Sequence, residues 1–304
     1  MSDSDISRIA SPSQIPLASY GVIEVSGADA RSFLHGQLSN DILHLPKNGA
    51  QWTAYCSAKG RMLAGFLAWA PAPDTILLAC DRALVTPLVK RLRMFVLRAK
   101  VTVEDASERL SMAGQIGAAT GPEPFTHSRV ADTTLLGLPD ALGVRRTLVV
   151  SDSAVANAPA ADENEWARLM ILMGEIWLTP ATQDQFVPQM VNFDVIGGIN
   201  FKKGCYPGQE VVARAHYRGA VKRRMYRATV NAPAAAGQAL FTGGPDGQEC
   251  GLVANAALTS TVAGSEVLAV VPIQARLESA IHLGAPDGPL LTFMDLPYAI
   301  PEAP

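Results

Sequence analysis

Cys205 lies between two glycines and directly follows two lysines and a glycine, which makes its segment the part of the chain best suited to chemistry. Glycine adopts backbone angles that are closed to other residues, and Pro207 fixes its own φ, so the pattern predicts a tight, exposed turn. Lys202 and Lys203 place positive charge near the thiol and favour its thiolate form, the form that attacks electrophiles. These residues make Cys205 the candidate reactive thiol of the chain and Lys203 the candidate residue that activates it.

Free cysteines more often serve as small apolar core residues. We adopt that interpretation for Cys56 and Cys80, which lie in apolar runs, and for Cys250, which adjoins a turn. For Cys205 the local chemistry leaves both interpretations open.

A run of positive charge accompanies this segment, and Glu210 is the one acidic residue within it. Such a run is either a solvated face or a docking surface for an anion such as phosphate, an RNA backbone or a chain of carboxylates. Its overlap with the Cys205 turn favours the docking surface. The cations are Lys202, Lys203, Arg214, Arg218, Lys222, Arg223, Arg224 and Arg227.

The whole chain has the composition of a folded protein. It contains 304 residues, of which 48% are hydrophobic and 17% charged, with a net charge of -3. The four cysteines have no C-x-x-C spacing and no close pair of histidines is present, so neither a disulfide framework nor a metal site is expected. An acidic amino terminus, and apolar runs too short to span a membrane, favour a cytoplasmic protein with no membrane partner.

The elements that must position Cys205 follow from the periodicity of apolar residues. Residues 20–26 predict a strand, Asp29 caps the helix that follows, and residues 57–61 predict a hairpin connection between two strands. Pro87 is expected in the first turn of a helix, because an interior proline would break it. After residue 221, short runs that include residues 275–283 predict a separate antiparallel β-domain.

Residues 203–210, Lys-Gly-Cys-Tyr-Pro-Gly-Gln-Glu, match the K-G-C-Y-x-G-Q-E signature of the YgfZ family. We refer to them as the signature segment. The chain also resembles that family, folate-binding proteins similar to the T-protein of glycine cleavage, at residues 27–30, 36–37, 41, 58–60, 186–189, 192–198, 211–220 and 296–298. The resemblance spans nearly the whole chain.

The resemblance implies an α+β fold of the T-protein and YgfZ type, with three domains in a ring and a carboxy-terminal antiparallel β-barrel. The implied first domain is discontinuous, comprises residues 16–48 and 118–220, binds folate and carries the signature segment. Residues 49–117 form an inserted α+β domain, and residues 221–304 form the barrel.

Tetrahydrofolate is the cofactor that the resemblance implies. In the family, an aromatic residue before the first strand and a tryptophan at the start of the helix before the signature contact folate, and these positions correspond to Tyr20 and Trp166. Tyr20 stands where the family has tryptophan and keeps a stacking face of smaller area. From the residues alone, core packing is the ordinary role of Trp166. Tyr206 and Gln209 of the signature segment are assigned to the same cofactor.

We also assign Arg214 and Arg223 to the folate. Tetrahydrofolate can carry a polyglutamate tail, and a row of carboxylates suits exposed cations.

The function implied is support of iron-sulfur cluster assembly or repair in client enzymes, including those that modify transfer RNA, with Cys205 as the reactive thiol. One alternative is an aminomethyltransferase of the T-protein type, which the residues disfavour because the expected carboxylate is absent near Thr86 and Asp81 lies several residues early. The other is a plain RNA-binding protein. Net acidity and the lack of a recognised RNA-binding module disfavour direct nucleic-acid binding.

Overall fold

The computed structural model describes residues 13–152, 163–217, 221–259 and 264–301. The chain divides into two compact units, unit 1 with Met1–Thr53 and Phe66–Trp166, and unit 2 with Ala54–Gly65 and Ala167–Pro304. Across the described ranges, no helix has both the length and the apolar character needed to cross a bilayer. The three-domain division of the sequence analysis stays a prediction.

Two five-stranded sheets build most of unit 1, with strand orders β3-β4-β5-β2-β6 and β1-β7-β10-β9-β8. The interior strand β2 is rich in β-branched residues and is largely buried, and it pairs antiparallel with both β5 and β6. The tip of the β3-β4 hairpin, residues 54–65, belongs to unit 2. The strands are β1 (Ser13–Pro16), β2 (Tyr20–Ser26), β3 (Ala50–Cys56), β4 (Met62–Ala72), β5 (Thr75–Asp81), β6 (Thr102–Asp105), β7 (Ser111–Ile116), β8 (His127–Val130), β9 (Thr133–Ala141) and β10 (Val144–Ser151).

Two helices of unit 1 differ from their predicted forms. Helix α1 (Ala30–His35) has no side-chain cap, because the Asp29 carboxylate accepts a hydrogen bond from the backbone N–H of Lys100 at 2.8 Å instead. Helix α2 (Arg82–Arg93) continues through Pro87, which lies in its second turn. Pro87 is on the exposed side of α2 while the opposite face is buried, so core packing offsets the lost hydrogen bond.

Unit 2 contains the carboxy-terminal antiparallel sheet that the sequence predicts. Its six strands follow the order β15-β12-β13-β14-β11-β16, and an isolated bridge between His282 and Leu290 links the two edges, so the sheet curls back on itself. The strands are β11 (Arg223–Val230), β12 (Ala239–Thr242), β13 (Glu249–Leu258), β14 (Ser265–Pro272), β15 (Ile281–Leu283) and β16 (Leu291–Met294).

The remaining elements are helices. Helix α3 (Glu163–Leu172) and helix α4 (Gln209–Tyr217) flank an irregular stretch that contains a 3-10 helix, Pro188–Val191. Helix α5 (Ile273–Glu278) occupies half of the strand predicted at residues 275–283, and that prediction is wrong for those residues. The Arg276 guanidinium lies 4.3 Å from the ring centre of Phe293, a contact that holds α5 against β16.

Candidate functional site around Cys205

The signature segment forms a turn that leads directly into α4. Cys205 is exposed, whereas Tyr206 beside it is buried. At the start of the helix, the N–H of Gln209 donates to the Tyr206 carbonyl and the N–H of Val212 donates to the Gly208 carbonyl, at 3.2 Å each. An exposed thiol on a turn is the geometry that the sequence predicts, and the helix that follows the turn was not predicted.

Two glycines hold this turn against the β3-β4 hairpin. Gly208 has a φ of 78°, and a Cβ on it would lie 2.4 Å from the carbonyl oxygen of Ser57 and 2.6 Å from the Cα of Gly60. Gly60 has a φ of 73°, and a Cβ there would lie 2.8 Å from Val211. The two backbones therefore touch in a way that no other residue permits.

The other three cysteines are buried. All four lie within the described residues, and among them Cys205 is the exposed one. Burial, with a smaller contribution from the charge of Asp184, raises the pKa of Cys56 to about 12. Burial also raises the pKa of Cys80 and Cys250. At neutral pH the buried thiols are thus kept in the protonated, unreactive form.

Lys203 is buried, and two of its contacts are with other residues of the signature segment. Its ammonium nitrogen lies 4.7 Å from the ring centre of Tyr206, and its backbone carbonyl accepts a bond from the Gln209 side chain at 3.5 Å. These contacts give Lys203, Tyr206 and Gln209 a shared role in holding the turn beneath Cys205. Activation of the thiol by Lys203, and folate contact by the other two, stay predictions.

The basic run separates into exposed and buried cations. Lys202, Arg214, Lys222 and Arg223 are exposed. Arg224 is 4% exposed and binds Asp194 through two nitrogens, at 2.7 and 3.0 Å. The predicted continuous docking run is therefore wrong at Arg224.

A second buried ion pair removes Arg227 from the run as well. Its guanidinium donates to Glu266 at 3.1 Å, and Arg168 donates to the same carboxylate at 3.0 Å. Buried cations of this kind are retained by their partners and do not face a ligand. Arg218 lies outside the described residues.

A buried polar network anchors the irregular stretch before the signature segment. Gln189 donates to the Val212 carbonyl at 2.6 Å, and Arg224 donates to the Gln189 carbonyl at 2.8 Å. Asn192 donates to the Met225 carbonyl at 2.8 Å and to the Tyr298 hydroxyl at 3.3 Å. The sequence analysis assigned no role to Gln189 or Asn192, although the resemblance covers both and could have marked them.

Tyr20 and Trp166, the predicted folate contacts, lie in unit 1 and are joined by a hydrogen bond. The indole N–H of Trp166 donates to the Tyr20 hydroxyl at 3.1 Å. Trp166 is 1% exposed and packs on Gly114, where an added Cβ would lie 2.2 Å from the indole ring. Core packing, the ordinary role of a tryptophan, is thus present, and folate contact by the two rings stays a prediction.

Asp81, the carboxylate weighed for the aminomethyltransferase alternative, has a structural partner. It accepts a hydrogen bond from the N–H of Ala83 at 2.9 Å and caps α2. Burial raises its pKa, and the neighbouring charge of Glu163 adds to that effect. Glu163 in turn accepts bonds from the backbone N–H and the hydroxyl of Ser19.

The fold places the chain in the class of T-protein-like proteins. The solved structure of glycine cleavage system aminomethyltransferase T from Bartonella henselae matches it with a TM-score of 0.72, covering 95% of this chain and 86% of that one. Sequence identity is 13%, so the likeness shows the fold alone. It confirms the predicted T-protein-like α+β fold.

The chain belongs to the YgfZ family. It is 31% identical over 312 residues to the tRNA-modifying protein YgfZ of Sodalis glossinidius, covering 95% of this chain and 93% of that protein. It is also 31% identical to the protein of that name from Escherichia coli strain SE11, over 69% of each chain, and 30% identical to that of Vibrio vulnificus strain YJ016, over 69% and 68%. No protein-family model matches the chain.

Proposed function

We propose that this protein binds tetrahydrofolate and supports the assembly or repair of iron-sulfur clusters in client enzymes, including enzymes that modify transfer RNA. Cys205 is the thiol that reacts with the transferred sulfur, iron or folate-borne group. Membership of the YgfZ family and the T-protein-like fold support this proposal.

The observation that carries the proposal is the exposure of Cys205. It is the one exposed cysteine of the four. It lies in the signature segment, on a turn whose backbone contacts the tip of the β3-β4 hairpin at Gly208 and Gly60. A cysteine that served packing would be enclosed, as the other three are. An exposed thiol on a rigid support is instead suited to meet a partner.

The chain's residues fit tetrahydrofolate in part. Arg214 and Arg223 are exposed, as contacts with a polyglutamate tail require. Tyr20 and Trp166 are buried and hydrogen-bonded to each other, so a pterin ring reaches Trp166 only when the residues packed on it move apart. Tetrahydrofolate would supply a reduced pterin able to carry one-carbon units, and the chain's own residues would bind and orient it.

The test of the thiol is Cys205→Ala in a strain that lacks the native gene. We expect the variant to retain folate affinity but to lose support of iron-sulfur enzyme activity, because the substitution removes an exposed sulfur and no core packing. Cys250→Ala, which removes a buried thiol, is the matched control and should retain support. Full rescue by Cys205→Ala would contradict a chemical role of the thiol.

The test of the folate tail compares affinities for mono- and polyglutamylated tetrahydrofolate. Charge reversal at Arg214 and Arg223 should lower the preference for the longer tail, each exposed contact being worth about 0.2–1 kcal/mol. Arg224 is unsuitable for this test because its charge is paired with Asp194. Arg98→Glu, at an exposed position of unit 1, is the control, and an unchanged preference in the double variant would refute the tail contact.

The test of the pterin contact is Trp166→Phe. A stacking role predicts weaker binding of tetrahydrofolate to a variant whose thermal stability is measured in parallel. A loss of stability with unaltered folate affinity would assign Trp166 to the core alone.

A further inference from the structure

Three aromatic rings form a cluster at the end of α4, in which His216 and Tyr217 are exposed and Phe201 is half-buried. The rings of Phe201 and His216 are stacked, with centres 3.8 Å apart and planes inclined by 13°. Tyr217 meets both edge-on, with its centre 5.0 Å from that of His216 and 6.4 Å from that of Phe201. Tyr217 is 71% exposed, so most of the ring remains available to a partner.

Two exposed cations are close in sequence to the residues of this cluster. Lys202 directly follows Phe201 and is exposed, and Arg214 is exposed on α4. Within residues 201–227 the one acidic residue is Glu210. Although the chain as a whole has a net charge of -3, this segment therefore presents an excess of exposed cations.

We propose that Phe201, Lys202, His216 and Tyr217 form a binding surface for the unpaired nucleotides of an RNA loop. Exposed aromatic rings stack on the faces of bases, and neighbouring cations neutralise phosphates. A duplex hides its base faces by stacking them on each other, and an acidic peptide has no such faces, so the combination of rings and cations favours a single-stranded loop.

This inference goes beyond the proposed function and does not depend on folate or on Cys205. The net charge that disfavours nucleic-acid binding at the level of the whole sequence comes from unit 1, which has an excess of acidic residues, whereas acidic and basic residues nearly balance in unit 2. In unit 2 the folded chain stacks the Phe201 ring on that of His216, beside Tyr217 and next to the exposed Lys202. Lys203, Arg224 and Arg227 are buried and are not part of the surface.

The experiment measures binding of the full chain to a labelled RNA hairpin with an unpaired loop, and to a blunt RNA duplex of equal length. We expect the hairpin to bind more tightly. Tyr217→Ala should weaken hairpin binding by about 5- to 150-fold, the effect of losing one stacked base. Tyr217→Phe keeps the ring and should retain the affinity.

A salt titration tests the charge. Lys202→Ala should make the logarithmic dependence of affinity on salt shallower by about 0.7, the value for one phosphate contact with a single strand. Lys90→Ala, at an exposed position of α2, should leave the salt dependence unchanged.

Three results with the RNA hairpin would overturn the proposal. They are equal affinity for the hairpin and the duplex, equal loss in Tyr217→Ala and Tyr217→Phe, and displacement of the hairpin by a glutamate-rich peptide at similar concentration. A DNA hairpin of the same sequence tests whether the surface distinguishes RNA from DNA. Weaker binding of DNA supports an RNA-specific surface, and equal binding overturns the assignment to RNA.

Discussion

Gly208→Ala is the substitution that best tests how the turn beneath Cys205 is held. The added Cβ would lie 2.4 Å from the Ser57 carbonyl oxygen, and 2.6 and 2.7 Å from the Cα and N of Gly60. All of these atoms belong to backbone, so no side-chain rotation relieves the overlap, and the turn must move away from the hairpin.

The magnitude follows from comparison with Gly197, which has the same φ of 78°. Among the described residues, no heavy atom beyond its chain neighbours lies within 4 Å of a Cβ placed there. Gly197→Ala should therefore cost only the strain of the left-handed conformation, about 1–2 kcal/mol. Gly208→Ala adds the backbone overlap and should cost about 3 kcal/mol or more.

Two measurements check this difference. Urea unfolding gives the free energies, and a thiol reagent under native conditions reports the rate at which Cys205 reacts, since the other three cysteines are buried. We expect Gly208→Ala to change that rate and Gly197→Ala to preserve it. Equal destabilisation of the two variants, within about 0.5 kcal/mol, would refute the backbone contact.

Three further predictions concern buried groups. Arg224→Ala leaves a buried carboxylate unpaired and should destabilise by about 3–5 kcal/mol in urea unfolding, whereas Arg223→Ala, at an exposed neighbour, should cost less than about 0.5 kcal/mol. Similar costs would contradict the ion pair. Burial raises the pKa of the Cys56 thiol from its ordinary value of 9.0 to about 12 in the folded chain. Stability should therefore fall as pH rises through this window, by up to about 1.4 kcal/mol per pH unit, and Cys56→Ala should make the fall shallower in urea unfolding at several pH values. If Cys56→Ala left the dependence of the unfolding free energy on pH unaltered, the predicted contribution of the Cys56 thiol would be refuted. Tyr20→Phe leaves the buried indole N–H of Trp166 without its acceptor and should lower the unfolding free energy by about 1–3 kcal/mol, a prediction that wild-type stability of the variant would exclude.

Elements with a strong local pattern were predictable. Strand β2 has the predicted bounds, and the short carboxy-terminal strands form the expected antiparallel sheet, because alternation and turn residues act over a few positions. Three local predictions were wrong for a common reason: the helix cap at Asp29, the position of Pro87 in its helix, and the strand at residues 275–283. Their conformations depend on distant partners or on a buried face, such as the Lys100 N–H that engages Asp29.

For the candidate site, the order of residues alone was enough to indicate a cysteine on a glycine turn, the family and the T-protein-like fold. Only the tertiary structure decided which cations of the basic run face solvent, since a charged side chain is exposed or buried according to whether a partner such as Asp194 comes near it. The contact between Gly60 and Gly208 likewise joins residues far apart in the chain. Local chemistry can be inferred from neighbours in sequence, whereas burial and pairing arise from contacts that form only when the chain folds.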